Sequence, residues 1–324
     1  MNDKVASVLF AVRRSGGPGL LFAALMVLGG VAHSQEWHYT VRPGDTIWDV
    51  TAEHLARMDY WPKLQALNRV ADPERLPPGM KLRIPIIWLK RLPATAQVVA
   101  SRGQAQVVVA ATDRTVPASP GMSLESGDVV LTGPDGSVIL EFRDGSRALL
   151  QANGQLNLKG LQSYGETEVV DTRLHLLQGR TENRVTRRPA SGPRYEISTP
   201  VATSAVRGTR YRLAMDAGAS AARAEVLEGA VAFQGRRTAR TVPQGFGALA
   251  ETGRPLAPPV PLLAQPDVAK LPPVVTRAPI QLDLPALKGA VAYRAQIAPD
   301  DRFDTLLFDG VAPSPAVRGP DLPD

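Results

Sequence analysis

Cysteine is absent from this chain of 324 residues. Its absence excludes disulfide bonds, thiolate zinc sites, a cysteine nucleophile and a lipoprotein anchor attached through cysteine. It does not argue against an exported protein, because export does not require disulfides. The redox chemistry of thiols therefore has no part in what this protein does.

Histidine is almost as scarce, and none of the four histidines has a partner at metal-ligand spacing. They are His33, His38, His54 and His175. No G-x-S-x-G motif is present, and Gly245-Phe246-Gly247 is too short for a phosphate loop. We therefore expect no enzyme activity, no cofactor and no metal. A wall hydrolase that uses paired carboxylates, such as Glu225 and Glu228, is the enzymatic alternative.

A membrane-spanning run is also missing. The apolar run from Leu20 to Ala32 holds only thirteen residues, whereas a bilayer span needs about 20. Basic residues, including Lys4 and Arg13, precede the run, and small residues follow it before Gln35. This layout predicts a secretory signal peptide over residues 1–34, and hence a periplasmic protein. An uncleaved anchor is the alternative.

The net charge is +6, and arginine supplies most of it. Residues 171–240 hold thirteen arginines against six acidic side chains. Such a patch can attract nucleic acid, anionic lipid or an acidic polymer, or it can be a solvated basic face. Because the protein is expected to be exported, we predict no nucleic-acid partner.

Residues 37–85 predict a strand, two short helices and a second strand. The strands are expected at His38 to Val41 and at Met80 to Ile84, and Thr46 with Asp49 forms a capping box for the first helix. Helices this short persist only when they pack against other elements. We therefore expect the unit to close on itself.

Two glycine turns stand at corresponding places in this unit, 43–46 and 76–79. If the two strands are antiparallel, both turns lie at the same end of the sheet. Gly44 and Gly79 allow the backbone to approach a ligand closely, and the start of the helix offers free amides. Such a groove, with Ile47 and Met80 as aliphatic walls, suits an N-acetylated sugar. The alternative is that both are merely turns.

The sequence from 96 to 250 predicts a series of strands and shows no amphipathic helix pattern. Asp-Gly or Asn-Gly pairs recur at 135, 144 and 153, a pattern typical of tight hairpins in a meander or of a strand coil. Residues 251–277 form a proline-rich, semi-rigid linker. Residues 278–324 resemble the start of a fibronectin/Ig-like sandwich, but too few strands follow for an independent one.

The segment "YTVRPGDTIWDVTAEHL…WPKLQALNRV…PERLPPGMKLRIP" resembles a LysM module. The resemblance implies a βααβ fold that binds glycans containing N-acetylglucosamine, and therefore peptidoglycan. It also implies the ligand contacts Gly44, Asp45, Thr46, Ile47, Pro78, Gly79 and Met80.

Residues 110–235 resemble a FecR-type domain through "SLESGDVVLTGPDGSVILEFRDGSRALL", "LLQGR" and "ISTPVATSAVRGTRYRLAM…AEVLEGAV". The resemblance implies a periplasmic all-β domain. In signalling members of the family, that domain relays the state of an outer-membrane receptor to a cytoplasmic sigma-factor regulator. Only nineteen residues precede the apolar run, which we expect to be too few for the cytoplasmic segment of such a relay.

The expected fold is multidomain: a small α+β unit, then an all-β domain, then an incomplete β-sandwich-like segment. The predicted domains are 35–88 (LysM), 96–250 (FecR-type), 251–277 (linker) and 278–324 (partial sandwich). The predicted function is non-catalytic: binding of peptidoglycan, with the β domain as an interaction or scaffold element for an envelope protein. A FecR-type regulator anchored in the inner membrane is the first alternative, and a wall hydrolase the second.

Overall fold

The computed structural model describes residues 5–8, 36–187, 194–267, 269, 271, 280–298 and 308–319. The chain forms two compact units, one of residues 29–260 and one of residues 1–28 with 261–324. The expected signal peptide lies outside the described residues, apart from strand β1 (Val5–Val8).

The first part of the larger unit has the expected βααβ order. Its elements are β2 (Glu36–Thr40), α1 (Ile47–His54), α2 (Trp61–Asn68) and β3 (Lys81–Pro85). Short 3-10 turns occupy Met58–Tyr60 and Ile86–Trp88. Strands β2 and β3 are antiparallel, and Leu64, Leu82 and Ile84 are fully buried between helices and sheet. The small α+β unit predicted from the sequence is confirmed.

Asn68, the last residue of α2, ties the second helix to the sheet. Its side-chain amide donates to the carbonyls of Leu64 at 2.9 Å and Arg83 at 3.0 Å, and its oxygen accepts from the N–H of Arg83 at 2.7 Å. The next residue, Arg69, has a φ of +53°, the left-handed cap common at helix ends. This side chain therefore replaces backbone pairing along the outer edge of β3.

An all-β region follows, and no helix lies within its described residues, 91–187 and 194–260. Its strands are β4 (Arg91–Pro93), β5 (Ala96–Arg102), β6 (Ala105–Val109), β7 (Arg114–Pro117), β8 (Ser123–Leu124), β9 (Val129–Thr132), β10 (Ser137–Phe142), β11 (Arg147–Leu150), β12 (Gln155–Tyr164), β13 (Val170–Arg184), β14 (Tyr195–Ser198), β15 (Ala202–Val206), β16 (Arg210–Met215), β17 (Ala221–Glu228), β18 (Ala230–Gly235), β19 (Ala239–Pro243), β20 (Phe246–Glu251) and β21 (Val260–Pro261). The predicted all-β class is confirmed.

Two sheets make up this region, and β13 belongs to both. The first sheet has the order β7-β6-β9-β12-β13-β14-β15-β18-β19. The second has the order β8-β5-β10-β11-β13-β16-β17-β20. Their apolar faces share one core, in which Phe142 of the second sheet meets Tyr195 of the first edge-on at 5.7 Å.

The three Asp-Gly and Asn-Gly pairs do not all make hairpins. Asp144-Gly145 closes the β10–β11 hairpin, with Gly145 at φ +75°. The pairs at 135 and 153 instead join strands that belong to different sheets. A Cβ on Gly136 would lie 2.0 Å from the carbonyl oxygen of Gln104. Glycine is required there for close packing at a corner, and the expectation of hairpins at 135 and 153 is wrong.

The α+β part and the β region share a packed seam. Tyr164, the last residue of β12, is only 6% exposed and belongs to the core cluster of the α+β part. Strand β4 pairs with β12 beside it, the guanidinium of Arg91 lies 5.5 Å from the Tyr164 ring, and the N–H of Gly165 donates to Lys90 at 2.7 Å. A loop of the β region therefore completes the small core.

Within its described residues, the smaller unit forms two sheets. Its strands are β22 (Gln281–Asp283), β23 (Ala292–Ile297), β24 (Phe308–Ala312) and β25 (Ala316–Arg318). Strand β23 pairs antiparallel with β24 and parallel with β1, and β22 pairs with β25. The fibronectin/Ig-like resemblance of this segment stays a prediction.

Candidate functional site

The two glycine turns lie side by side at one end of the β2–β3 sheet, as antiparallel pairing requires. The N–H of Gly79 donates to the carbonyl of Val41 at 2.8 Å, and the N–H of Val41 donates to the carbonyl of Met80 at 2.9 Å. These bonds fasten the second turn directly to the end of β2. We call the surface formed by residues 43–46 and 77–80 the two-turn groove.

Asp45 holds the first turn in shape. Its carboxylate accepts from the hydroxyl of Tyr39 at 2.6 Å and from the N–H of Arg42 at 2.7 Å. The bond from Tyr39 lowers the pKa of Asp45. Burial, together with the bond to Asp45, raises the pKa of Tyr39 to about 12. Both bonds go to Oδ2, so the carboxylate stabilises the fold of the first turn, while its contact with a ligand stays a prediction.

Thr46 caps α1 with its side chain and leaves its backbone amide free. Its hydroxyl accepts from the N–H of Asp49 at 3.0 Å and donates to the Asp49 carboxylate at 2.7 Å. In a complete capping box the acidic side chain would instead accept from the backbone N–H of the cap residue. Within the described part of the chain, the N–H groups of Gly44, Thr46 and Trp48 have no protein acceptor. They are donors available to a ligand.

Four of the residues predicted from the sequence as ligand contacts lie at the surface of the groove. Gly44, Pro78 and Gly79 are exposed, and Met80 is half-buried against the small core. Both glycines have positive φ, +93° and +82°, and a Cβ built on either would meet nothing within 4 Å. The surface over both turns is therefore open to a ligand.

Ile47 does not form a wall of the groove. Its side chain is fully buried, and its N–H donates to the carbonyl of Pro73 at 2.9 Å. Ile47 is the first residue on the core-facing side of α1, so its side chain packs in the core of the domain. The expectation of an aliphatic wall at this position is corrected; Met80 remains the partly exposed aliphatic side chain.

Two further residues border the first turn, Trp48 and Tyr39, and neither is among the residues predicted from the sequence. Trp48, in the first turn of α1, is 54% exposed, and its ring centroid lies 5.9 Å from that of Trp61. An indole next to the core-facing positions Ile47 and Val50 must point away from them, which was a usable signal. No comparable sequence pattern predicts the hydrogen bond from Tyr39 to Asp45, because two possible acceptors and several possible donors lie close to these residues in the sequence.

The two carboxylates named for a hydrolase, Glu225 and Glu228, lie in different surroundings. The Glu225 carboxylate lies 3.6 Å from the guanidinium of Arg212, whereas Glu228 is exposed at the end of β17. Residues 206–209 form a turn in which a Cβ on Gly208 would lie 2.5 Å from the Cα of Arg187. Among the residues that the structure describes, no group of three potential metal ligands occurs. None of the described helices is long and apolar enough to cross a bilayer.

Comparison with protein families identifies two domains in the chain. The family model "LysM domain" matches residues 39–85, and "FecR protein" matches residues 128–232. Both families are non-catalytic and typical of the cell envelope, and LysM domains bind glycans such as peptidoglycan. A search of curated proteins finds no match.

Among solved structures, two of a candidate anti-sigma factor from Parabacteroides distasonis ATCC 8503 are similar to this chain. The first, at 2.50 Å resolution, has 14% identity and a TM-score of 0.32, and the match covers 39% of this chain and 56% of that one. The second, at 1.65 Å, has 12% identity and a TM-score of 0.34, and the match covers 40% and 57%. The chain thus spans little more than half the length of either relative.

Proposed function

We propose that this protein binds N-acetylglucosamine-containing glycan, and hence peptidoglycan, through the two-turn groove of its LysM domain. The observation that carries the proposal is the pair of open glycine turns beside the free amides of Gly44, Thr46 and Trp48. An acetamido group offers a carbonyl acceptor, an N–H donor and a methyl. Free backbone amides, turn carbonyls and the half-buried Met80 complement those three features.

The protein acts in the periplasm, without catalysis. The N-terminal sequence pattern and the envelope association of both families support this location. The FecR-type β domain serves as an interaction or scaffold element for a protein of the envelope. The domain limits expected from the sequence, 35–88 and 96–250, remain part of this proposal.

Co-sedimentation of the full chain with insoluble peptidoglycan and with chitin tests the proposal. The full chain is required because Tyr164 and the partly buried Val169 of the β domain pack in the LysM core. Chitin is needed because a chain with a pI near 9.8 also adheres to anionic wall polymers at low salt. Recognition of an acetamido sugar persists on neutral chitin and at high salt.

Gly79→Ala is the informative variant, and Gly245→Ala is its matched control. Both glycines have similar φ, +82° and +79°, and open space around them. Each substitution therefore costs roughly 1 kcal/mol of backbone strain. Only Gly79→Ala adds a methyl to the groove, so we expect it alone to release protein from the pellet. A wild-type chain that stays in the supernatant with both polymers contradicts the proposal, as does equal pelleting of both variants.

A regulator of the FecR type, anchored in the inner membrane, is a second candidate. The family match over 128–232 favours it. Such a regulator must retain residues 1–34 as its anchor, whereas a cleaved secretory protein begins near Gln35. N-terminal sequencing of the protein isolated from cells separates the two. A hydrolase, the remaining alternative, would clear peptidoglycan in a zymogram.

A further inference from the structure

Three arginines lie in the hairpin that joins β18 and β19. The N–H of Gly235 donates to the carbonyl of Thr238 at 2.9 Å and closes the turn. Arg236 and Arg237 therefore occupy its tip, and Arg240 follows on β19. All three side chains are exposed, and within the described part of the chain none of them forms an ion pair. The hairpin thus presents three guanidinium groups to solvent.

Strand β19 is an edge of the first sheet, because among the described strands it pairs with β18 alone. Hydrogen-bonded and non-hydrogen-bonded residue pairs alternate along an antiparallel ladder. Counted from the bonded pair Gly235–Thr238, the pairs that contain Ala239 and Thr241 are not hydrogen-bonded. The N–H and carbonyl groups of these two exposed residues therefore point away from β18. Such an edge can pair with another extended chain.

The charge of the hairpin decides which chain fits this edge. Residues 229–250 hold the three arginines and no acidic residue. Glu196 and Glu251 share a cleft with Arg236, but the other two arginines do not line that cleft. Pairing with a second copy of the same edge would bring like charges together. A carboxylate, by contrast, can accept two parallel hydrogen bonds from one guanidinium group, so the edge suits an acidic strand.

We propose that the β19 edge binds an extended acidic segment of a partner protein, which adds a strand to the sheet and pairs its carboxylates with Arg237 and Arg240. This inference deepens the proposed role of the β domain as an interaction element, and it rests on that role. An anionic polymer or lipid surface would satisfy only the guanidinium groups. An extended polypeptide also satisfies the outward backbone groups of Ala239 and Thr241.

Thr241→Pro and Thr115→Pro form a matched pair of variants at the two edges of the first sheet. Both residues are exposed. The N–H of Ala118 donates to the carbonyl of Ala105 at 3.0 Å, and counting from this pair shows that the N–H of Thr115 on β7 also points outward. Proline at such a position removes an outward donor and leaves the existing ladder intact. Strand β7 has a single arginine, so only Thr241→Pro should affect an acidic partner.

Fluorescence anisotropy of a labelled peptide of four Val-Glu repeats, titrated with the full chain, tests the proposal. We expect binding at low salt that weakens as salt is raised. Thr241→Pro should lose about tenfold in affinity, and Thr115→Pro should lose none. The double variant Arg237→Gln with Arg240→Gln should lose at least tenfold. A fully N-methylated peptide keeps its carboxylates but cannot pair as a strand, so it should not bind. Thermal unfolding checks that each variant is folded.

Absence of peptide binding to wild type overturns the proposal. Equal binding of the methylated peptide overturns it as well, because the hairpin would then be a site for polyanions in general. An equal loss in the two proline variants, or unchanged affinity in Thr241→Pro, has the same consequence. Thr241→Pro should still pellet with chitin as wild type does. A wild-type chain that binds the peptide but does not pellet contradicts only the proposed glycan binding.

Discussion

Removal of the Tyr164 ring should uncouple the LysM domain from the β domain. Tyr164 belongs to β12 but is buried, at 6% exposure, in the core of the LysM domain. Truncation of a buried aromatic residue to alanine costs about 3–5 kcal/mol, and the stacked Arg91 adds about 0.5–1 kcal/mol. A unit of some fifty residues has only a few kcal/mol of stability, so Tyr164→Ala should bring it close to unfolding.

The tryptophans make the LysM domain separately visible. All four lie between residues 37 and 88, so tryptophan fluorescence reports that domain, whereas far-UV circular dichroism reports mainly the β strands. In wild type the two signals should change together during urea denaturation. In Tyr164→Ala the fluorescence midpoint should fall by about 2 M urea or more, for a slope near 1–1.5 kcal/mol/M, while the dichroism midpoint moves little.

Tyr164→Phe is the control, because it keeps the ring and removes only the hydroxyl. It should leave both midpoints within about 0.5 M of wild type, since the contacts described for Tyr164 belong to its ring and backbone and not to its hydroxyl. If Tyr164→Ala leaves the fluorescence transition in place, the seam does not stabilise the LysM domain and the reasoning is refuted. If the two wild-type transitions are already separate, the shared core is not cooperative.

Two further predictions concern the groove and its support. The hydrogen bond from Tyr39 lowers the pKa of Asp45. The ionised carboxylate therefore adds stability above its unfolded pKa of about 3.9, and that stability is lost as the pH falls through the lower folded value. Pelleting with glycan should weaken below about pH 4 in wild type and show a smaller pH dependence in Asp45→Asn. Asn68→Ala removes bonds to Leu64 and Arg83 and should lower the free energy of unfolding by about 1–3 kcal/mol, which urea denaturation followed by fluorescence measures. Asn68→Asp, which keeps the acceptor for the Arg83 N–H, should lose less, and an equal loss would contradict the proposed bonding.

The groove could be predicted from sequence as far as its backbone is concerned. Glycines at 44 and 79, the cap at Thr46 and two strands of similar length were enough to place both turns together. Which side chains face the groove could not be predicted to the same degree. Ile47 and Trp48 are neighbours in one helical turn, and only the packing of that turn against Pro73 and Trp61 decides which is buried.

The sequence alone determined the local elements of this protein. Helix capping, glycine turns and the alternation of strands depend on residues close together in the chain, and their physics acts over one or two turns of backbone. The tertiary structure decided what depends on distant partners: that Asp144-Gly145 closes a hairpin while the pairs at 135 and 153 turn corners between sheets, and that Tyr164 completes the core of another domain. Burial of a side chain is a property of all the elements around it, so no short stretch of sequence contains it.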